Sequence, residues 1–344
     1  MERQRVLRSV VLATVAIAGL AVAVPRAYRQ WEVRHHEREA TDLRDEGRLE
    51  EAADEYTEAI RLAPSDPEPY LNRGAVLTKM GRADEAMADN DATIRLASGR
   101  LRGMAYCNRG NAHREAGRLT EAIAAYEAAY ALIPGEPRVL LCWGMALTQS
   151  GDAAAAVPKF SQALVLSPGD PDAYGNRAKA LASMGRYTQS SSDYDQVLTI
   201  DPQNVPAHLG KAWVAGAAGK HRVALSYCDR AIELAPESAQ AYCGRGLAHE
   251  ACGELEAAFA DFDRAIALSP KYANAYVGRA DVHGLRGRMA QAIADYTRAI
   301  ELDPSDAYAW ANRAQAREFI GMHAEALRDR EEAARLVGAP DTPD

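Results

Sequence analysis

Between Ala273 and Pro304 the pattern of apolar and polar positions follows the helical period twice. Tyr276, Ala280 and His283 stand at i, i+4 and i+7, one face of a first helix. Ala292, Ile293, Tyr296, Ala299 and Ile300 form the face of a second. Gly287 lies between them, where turning the chain back favours φ > 0. Pro304 ends the second helix, because the residue before a proline is pushed out of helical geometry. Neither helix can bury its apolar face alone, so the pair predicts neighbours of the same kind.

The neighbours are present at a fixed period. Prolines stand at 64, 134, 168, 202, 236, 270 and 304, and from 134 onward every step is 34 residues. Ser98 fills the slot 34 after Pro64, two additional residues near Arg100–Arg102 bring the phase to 134, and Gly338 closes the series. Inter-helix glycines keep the same beat, from Gly47 and Gly81 to Gly287 and Gly321. Within the period, aromatic, small, Ala and Pro residues recur at constant offsets. One copy reads Tyr106, Gly110, His113, Ala122, Tyr126, Ala129, Pro134; another reads Tyr242, Gly246, His249, Ala258, Phe262, Ala265, Pro270.

This helix–turn–helix unit resembles the tetratricopeptide repeat. Nine copies start near residues 33, 67, 103, 137, 171, 205, 239, 273 and 307, over about nine-tenths of the chain. The resemblance implies an all-α fold, a right-handed α-solenoid of about nine antiparallel helix pairs spanning 33–340, with a basic tail and N-terminal segment at 1–32 and a short tail at 341–344. Small residues at the eighth position (Ala40, Gly74, Gly110 and their equivalents) let the first helix of each pair, helix A, approach its partner, helix B. Each repeat then touches only its neighbours, so stability is a sum of local terms. Asn90 and Arg330 replace the helix-B aromatic in repeats two and nine. Pro158 interrupts helix B of repeat four, and the charged last helix suits a solvent-facing cap.

A charge ladder accompanies the repeat. Position seven holds Arg73, Arg109, Arg177, Arg245, Arg279 and Arg313, with Lys211 in repeat six. The position before the helix-B aromatic is acidic at Glu55, Asp89, Asp193, Asp261, Asp295 and Asp329. A packed guanidinium favours a bidentate carboxylate. Pairing between repeats gives Glu55–Arg73, Asp89–Arg109, Asp193–Lys211, Asp261–Arg279 and Asp295–Arg313. Pairing within a repeat gives Arg73–Asp89, Arg177–Asp193, Arg245–Asp261, Arg279–Asp295 and Arg313–Asp329. The inter-repeat register is slightly favoured, because uncharged Ala125 precedes uncharged Trp143. Either way the ladder is expected to fix register.

Composition narrows the function. The formal charge is −8; residues 1–31 contribute +4 from five Arg and one Glu, which leaves −12 on the rest. An acidic body argues against nucleic acid, whose affinity rests on neutralised phosphates. Cys107, Cys142, Cys228, Cys243 and Cys252 form no CxxC pair and read as small buried side chains, not a disulfide framework or zinc site. His113, His249, His283 and His208 occupy aromatic positions of the repeat, and His221 and His323 open B helices, so they read as packing or turn residues. HExxH, GxSxG and Gly-rich phosphate loops are absent from the sequence. The expectation is a chain without catalysis, cofactor, metal or small-molecule substrate.

At the N-terminus, Arg3, Arg5 and Arg8 precede an uncharged run from Ser9 to Val24, followed by Arg26 and Arg29. Its 16 residues rise roughly 24 Å as a helix, short of a ~30 Å hydrocarbon core, with snorkelling arginines to cover the difference. The favoured expectation is a single-pass anchor through residues 9–24 with the body extracytoplasmic. The alternatives are a cytoplasm-facing body, cleavage near Ala23, or a plain helix.

What the resemblance implies for binding lies on helix A, whose positions two, five, nine, twelve and thirteen line a concave groove in that family. Position six carries Asn72, Asn108, Asn176 and Asn312, a partial set of residues that in some members hold a peptide backbone. The family's two-carboxylate clamp is rejected: Asn111 is present, but Cys107 and Cys142 replace its Lys and second Asn. Leu141, Met145, Leu209 and Trp213 project into the middle of the groove, and Trp213 either anchors a partner or packs between repeats. Repeat nine adds Tyr308, Gln315, Glu318 and Phe319. The expected function is a membrane-tethered scaffold that binds peptide segments or partner proteins. The alternative is a regulatory or substrate-delivery subunit of an enzyme, such as a glycosyltransferase, or of a secretion machine.

Overall fold

The computed structural model describes residues 26–338. Among these residues there are eighteen α-helices and no strand. The chain divides into two compact units at Cys142/Trp143, and each is a stretch of α-solenoid. The first contains α1 (Arg26–Asp45), α2 (Leu49–Leu62), α3 (Pro67–Lys79), α4 (Ala83–Leu96), α5 (Gly99–Glu115) and α6 (Leu119–Leu132). The boundary falls inside α7 (Pro137–Gln149). The second unit continues with α8 (Ala153–Leu166), α9 (Pro171–Ser183), α10 (Tyr187–Ile200), α11 (Val205–Ala217), α12 (His221–Leu234), α13 (Ala239–Ala251), α14 (Leu255–Leu268), α15 (Ala273–Leu285), α16 (Met289–Leu302), α17 (Ala307–Phe319) and α18 (His323–Gly338). From α1 on, odd-numbered helices are A helices and even-numbered ones are B helices.

Local signals set these boundaries. Asp66, Asp170 and Asp306 cap A helices by accepting backbone N–H bonds through their side chains. Pro67 and Pro171 take the first helical position, where no N–H bond is lost. At the turn between α15 and α16, Gly287 has φ 71°. The Arg288 N–H donates back to the His283 carbonyl at 2.9 Å, which closes the helix end. Pro158 stands inside α8, which runs on through it.

The small eighth position admits the helix-B ring. A Cβ added to Gly110 would lie 2.6 Å from the Tyr126 ring in the first unit. In the second, a Cβ on Gly246 would meet the Phe262 ring at 2.8 Å, and one on Gly278, in the next A helix, would clash with the same ring. Each aromatic is thus a wedge between successive A helices. Tyr56 packs with Ala40, Ala52, Ala53 and Val76. Phe262 packs with Ala258, Ala265, Ala275 and Val282. The core is a series of such wedges, so the rings, not one large interior, carry the burial.

The expectation of a membrane-anchored chain is corrected. Among the described residues no helix is long and apolar enough to cross a membrane. The first helix, α1, carries charged side chains along its length, including Arg29, Glu32, Arg34, Glu37 and Arg38. The run 9–24, on which the anchor rested, lies outside the described residues, as do residues 341–344. A 16-residue run was already short for the span.

Candidate functional site

The position-seven cations sit between two B helices, and the favoured inter-repeat register is corrected. Arg73 bonds Asp89 through two nitrogens, both at 2.7 Å, and Arg177, Arg245, Arg279 and Arg313 hold Asp193, Asp261, Asp295 and Asp329 in the same bidentate way. All five pairs lie within a repeat. The third nitrogen reaches back to the preceding B helix, at the residue after its aromatic position, which Cys228 fills in repeat six and Asn90 in repeat two. Arg245 meets Asp229 at 2.8 Å and Arg279 meets Asp263 at 2.5 Å, while Arg73, Arg177 and Arg313 meet Thr57, Ser161 and Thr297. Arg109 and Lys211 lack the forward pair and bond backward, to Asp91 and Asp195. Glu55 pairs instead with His36 at 2.5 Å. In repeat four the ammonium of Lys159 stacks over the Trp143 ring at 3.5 Å, so the same spacing carries a cation–π contact.

The asparagines do not form one ladder. The side-chain amides of Asn176 and Asn312 donate to carbonyls of their own helices, at Asp172 and Tyr308. Asn108 donates to the Leu71 carbonyl, and Asn111 accepts from the Tyr126 hydroxyl at 2.7 Å. Asn72 lines a shallow polar recess with Arg34, Arg38 and Glu68. His208 and His283 are buried; His208 bonds the Pro202 carbonyl and His283 packs edge-on to Phe259.

Two cavities of the second unit open on A-helix positions. The first, about 500 Å³, is lined by Leu209 and Trp213 of α11, Gly244 and Leu247 of α13, and Asn274 of α15. Trp213 is 56% exposed and meets the Tyr187 ring edge-on at 6.2 Å. Leu209 and Trp213 are therefore brought together, whereas half-buried Leu141 and Met145 on α7 do not line this cavity.

The second cavity, about 550 Å³, lies against α13, α15, α16 and α17, with Arg330 of α18. Its apolar wall includes Leu285, Met289 and Phe319, and Phe319 is 73% exposed. Glu250 and Asp281 supply the opposite side. Asp281 accepts hydrogen bonds from the hydroxyls of Tyr296 and Tyr308. Burial pushes the Glu250 carboxyl up to about 7, with the Asp281 charge adding to it. Burial also raises Asp281, offset in part by the two tyrosines. Glu318, at the rim, is matched by Arg330 and His323. Tyr308, Asn312, Gln315, Glu318 and Phe319 come together here, as sequence positions suggested, but Glu250 and Asp281 were missed. Their signal was acidity at positions twelve and nine, the groove-facing ones.

Another perturbed pair is buried in the first unit. The Cys107 thiol donates to Cys142, which holds the Cys142 thiol below its ordinary value with help from Arg138 and Arg114. Among the described residues no group of His, Cys, Asp and Glu is arranged to hold a metal ion.

Family models described as TPR repeat match residues 41–81 and 285–318. Models described as tetratricopeptide repeat match 103–136, 143–205 and 209–273, and together these stretches exceed two thirds of the chain. The chain belongs to the tetratricopeptide-repeat family. A DnaJ homolog subfamily C member 7 homolog of Schizosaccharomyces pombe is 31% identical over 70 residues, 19% of this chain. The Hsp70-Hsp90 organizing protein of Triticum aestivum is 40% identical over 57 residues, 17% of this chain. The chain spans only 15% and 10% of the length of these two curated relatives. A tetratricopeptide repeat protein from Parabacteroides merdae superposes with TM-score 0.54 over 86% of this chain and 99% of its own, at 20% identity, and shares the fold.

Proposed function

We propose that this tetratricopeptide-repeat chain is a non-enzymatic scaffold that holds peptide segments or partner proteins on its A-helix face. The observation that carries this reading is the Trp213 cavity. A large indole is left more than half exposed beside Leu209 and Leu247, at positions the repeat does not need for packing. Aromatic anchors in apolar recesses dominate binding energy at interfaces. The family relationship supports a binding role, and the ion-pair ladder is fully engaged in holding repeats together.

The test is panning of a phage-displayed dodecapeptide library on the immobilised full chain. Enriched peptides should carry an apolar or aromatic residue and should lose at least tenfold in affinity on Trp213→Ala, with an unchanged circular dichroism spectrum. No enrichment over bare resin, or binding indifferent to Trp213→Ala, would overturn the reading.

A further inference from the structure

The buried aspartates of the ladder are all paired. Asp89, Asp193, Asp261, Asp295 and Asp329 are each clamped by an arginine at 2.7–2.9 Å. Glu250 and Asp281, which are half-buried, differ. Among the described residues neither forms an ion pair; burial and the Asp281 charge both raise Glu250, and the cation in the cavity lining, Arg330, pairs with Glu318. A desolvated carboxylate without a counter-charge is costly, and where the ladder gives each buried aspartate an arginine, this pair has been left open. The tyrosines that contact Asp281 donate neutral hydrogen bonds; they orient the carboxylate without neutralising it.

The wall opposite these carboxylates is apolar and exposed. Phe319 and Leu285 are 73% and 63% exposed and Tyr308 is 57% exposed, close by in one cavity. A volume of about 550 Å³ is far more than an inorganic cation needs and falls within the range of organic-ligand pockets. The complement is a cationic head on an aliphatic stem. The stem would lie along Leu285, Met289 and Phe319, and the head would reach Glu250 and Asp281 beside the Tyr308 ring. Lysine and arginine side chains have this build.

We propose that the cavity formed by Glu250, Asp281, Tyr308 and the Leu285–Phe319 wall is a subsite for a lysine or arginine side chain of a partner polypeptide. The inference rests on the scaffold reading and specifies one contact within it. It places a basic residue, not an acidic C-terminus, as the group recognised at this end of the chain.

The probe is a set of fluorescein-labelled nonapeptide mixtures, identical except for a central Lys, Arg, Gln, Leu or Glu, titrated into the full chain by anisotropy. Central Lys and Arg should bind at least tenfold more tightly than Gln, and Glu should be the weakest. Glu250→Gln, which removes no hydrogen bond of the fold, should cut the Lys-over-Gln preference to threefold or less; adding Asp281→Asn should abolish it. Trp213→Ala should leave that preference unchanged, and Phe319→Ala should weaken all five mixtures alike. Binding without Lys/Arg preference, or a preference that survives Glu250→Gln, overturns this subsite and leaves the scaffold standing. No binding by any mixture overturns both. Spermidine binding as tightly as the Lys mixture, and lost in Glu250→Gln, would make the site one for free polyamines and overturn the peptide assignment.

Discussion

Arg279 joins three helices, and its loss should be felt locally and strongly. Its guanidinium gives Nε and Nη2 to Asp295 at 2.8 and 2.7 Å and Nη1 to Asp263 at 2.5 Å. Asp295 is 8% exposed, so Arg279→Ala strands a buried carboxylate. Breaking a buried pair from one side costs about 3–5 kcal/mol. The exposed Asp263 contact adds at most about 0.5–1 kcal/mol. One group offsets part of this. His283 Nε2 lies 3.8 Å from Asp295, and burial at present holds its pKa down, with Arg279 among the charges acting the same way. Once Arg279 is gone, His283 takes up a proton at a higher pH and partly replaces it. The expected loss is therefore about 4 kcal/mol at pH 8 and about 3 kcal/mol at pH 5.5, measured by urea unfolding. Hydrogen exchange should locate the weakening in α14–α16, because each repeat leans only on its neighbours. The Arg279→Met/Asp295→Leu double variant should recover most of the stability, since it leaves no unpaired charge. A loss below about 1 kcal/mol for Arg279→Ala, or uniform protection loss from α8 to α18, would refute the bridging role.

Two further outcomes follow from the same geometry. Glu250 is raised from 4.5 to about 7 in the folded chain, so between those values the folded state keeps a proton the unfolded state has lost. Stability then falls as pH rises through this window and stays low above it. With Asp281, Tyr296, Tyr308, Glu318 and Arg330 facing the same cavity unchanged, Glu250→Gln should gain about 1–2 kcal/mol at pH 8 after discounting for solvent screening, and almost nothing at pH 4.5. Equal gains at both values, by thermal melts, would show that Glu250 titrates normally. Two glycine substitutions should differ in sign. Gly246→Ala puts a Cβ 2.8 Å from the Phe262 ring and should cost about 1–2 kcal/mol net, whereas Gly216→Ala meets nothing within 4 Å and should gain up to about 1 kcal/mol in chemical unfolding.

The helix pairs were legible in the sequence because their signals are local. Gly287 and Pro304 punctuate one pair, and the same residue types punctuate the others at the same interval. The ladder's members were legible but not its register. The spacing of basic and acidic positions allows five pairs in either register. The structure shows that position seven reaches forward to the residue before the helix-B aromatic position of its own repeat and backward to the residue after that position in the preceding one, such as Asp229 and Asp263. The apparent clue at Trp143 had another cause: Lys159 stacks on the indole. Glu250 and Asp281 were not legible because they belong to different repeats, 31 positions apart, and acidity on a helix reads as solvation until the fold shows which face is closed.

The separation of framework from recognition is sharpest on α13. That helix contributes Arg245 to the ladder, Leu247 to the Trp213 cavity and Glu250 to the acidic one. Residues 245 and 246 serve packing and register, so their identities are tied to Asp261, Asp229 and Phe262. Leu247 and Glu250 are three residues apart on one helix, a rise of about 4.5 Å. The apolar recess and the carboxylates are thus adjacent surfaces of a single rigid element. A polypeptide lying along the A helices of this unit would meet the indole first and the carboxylates within a few residues. A ligand that used both proposed subsites would pair an apolar anchor with a basic residue close by in sequence.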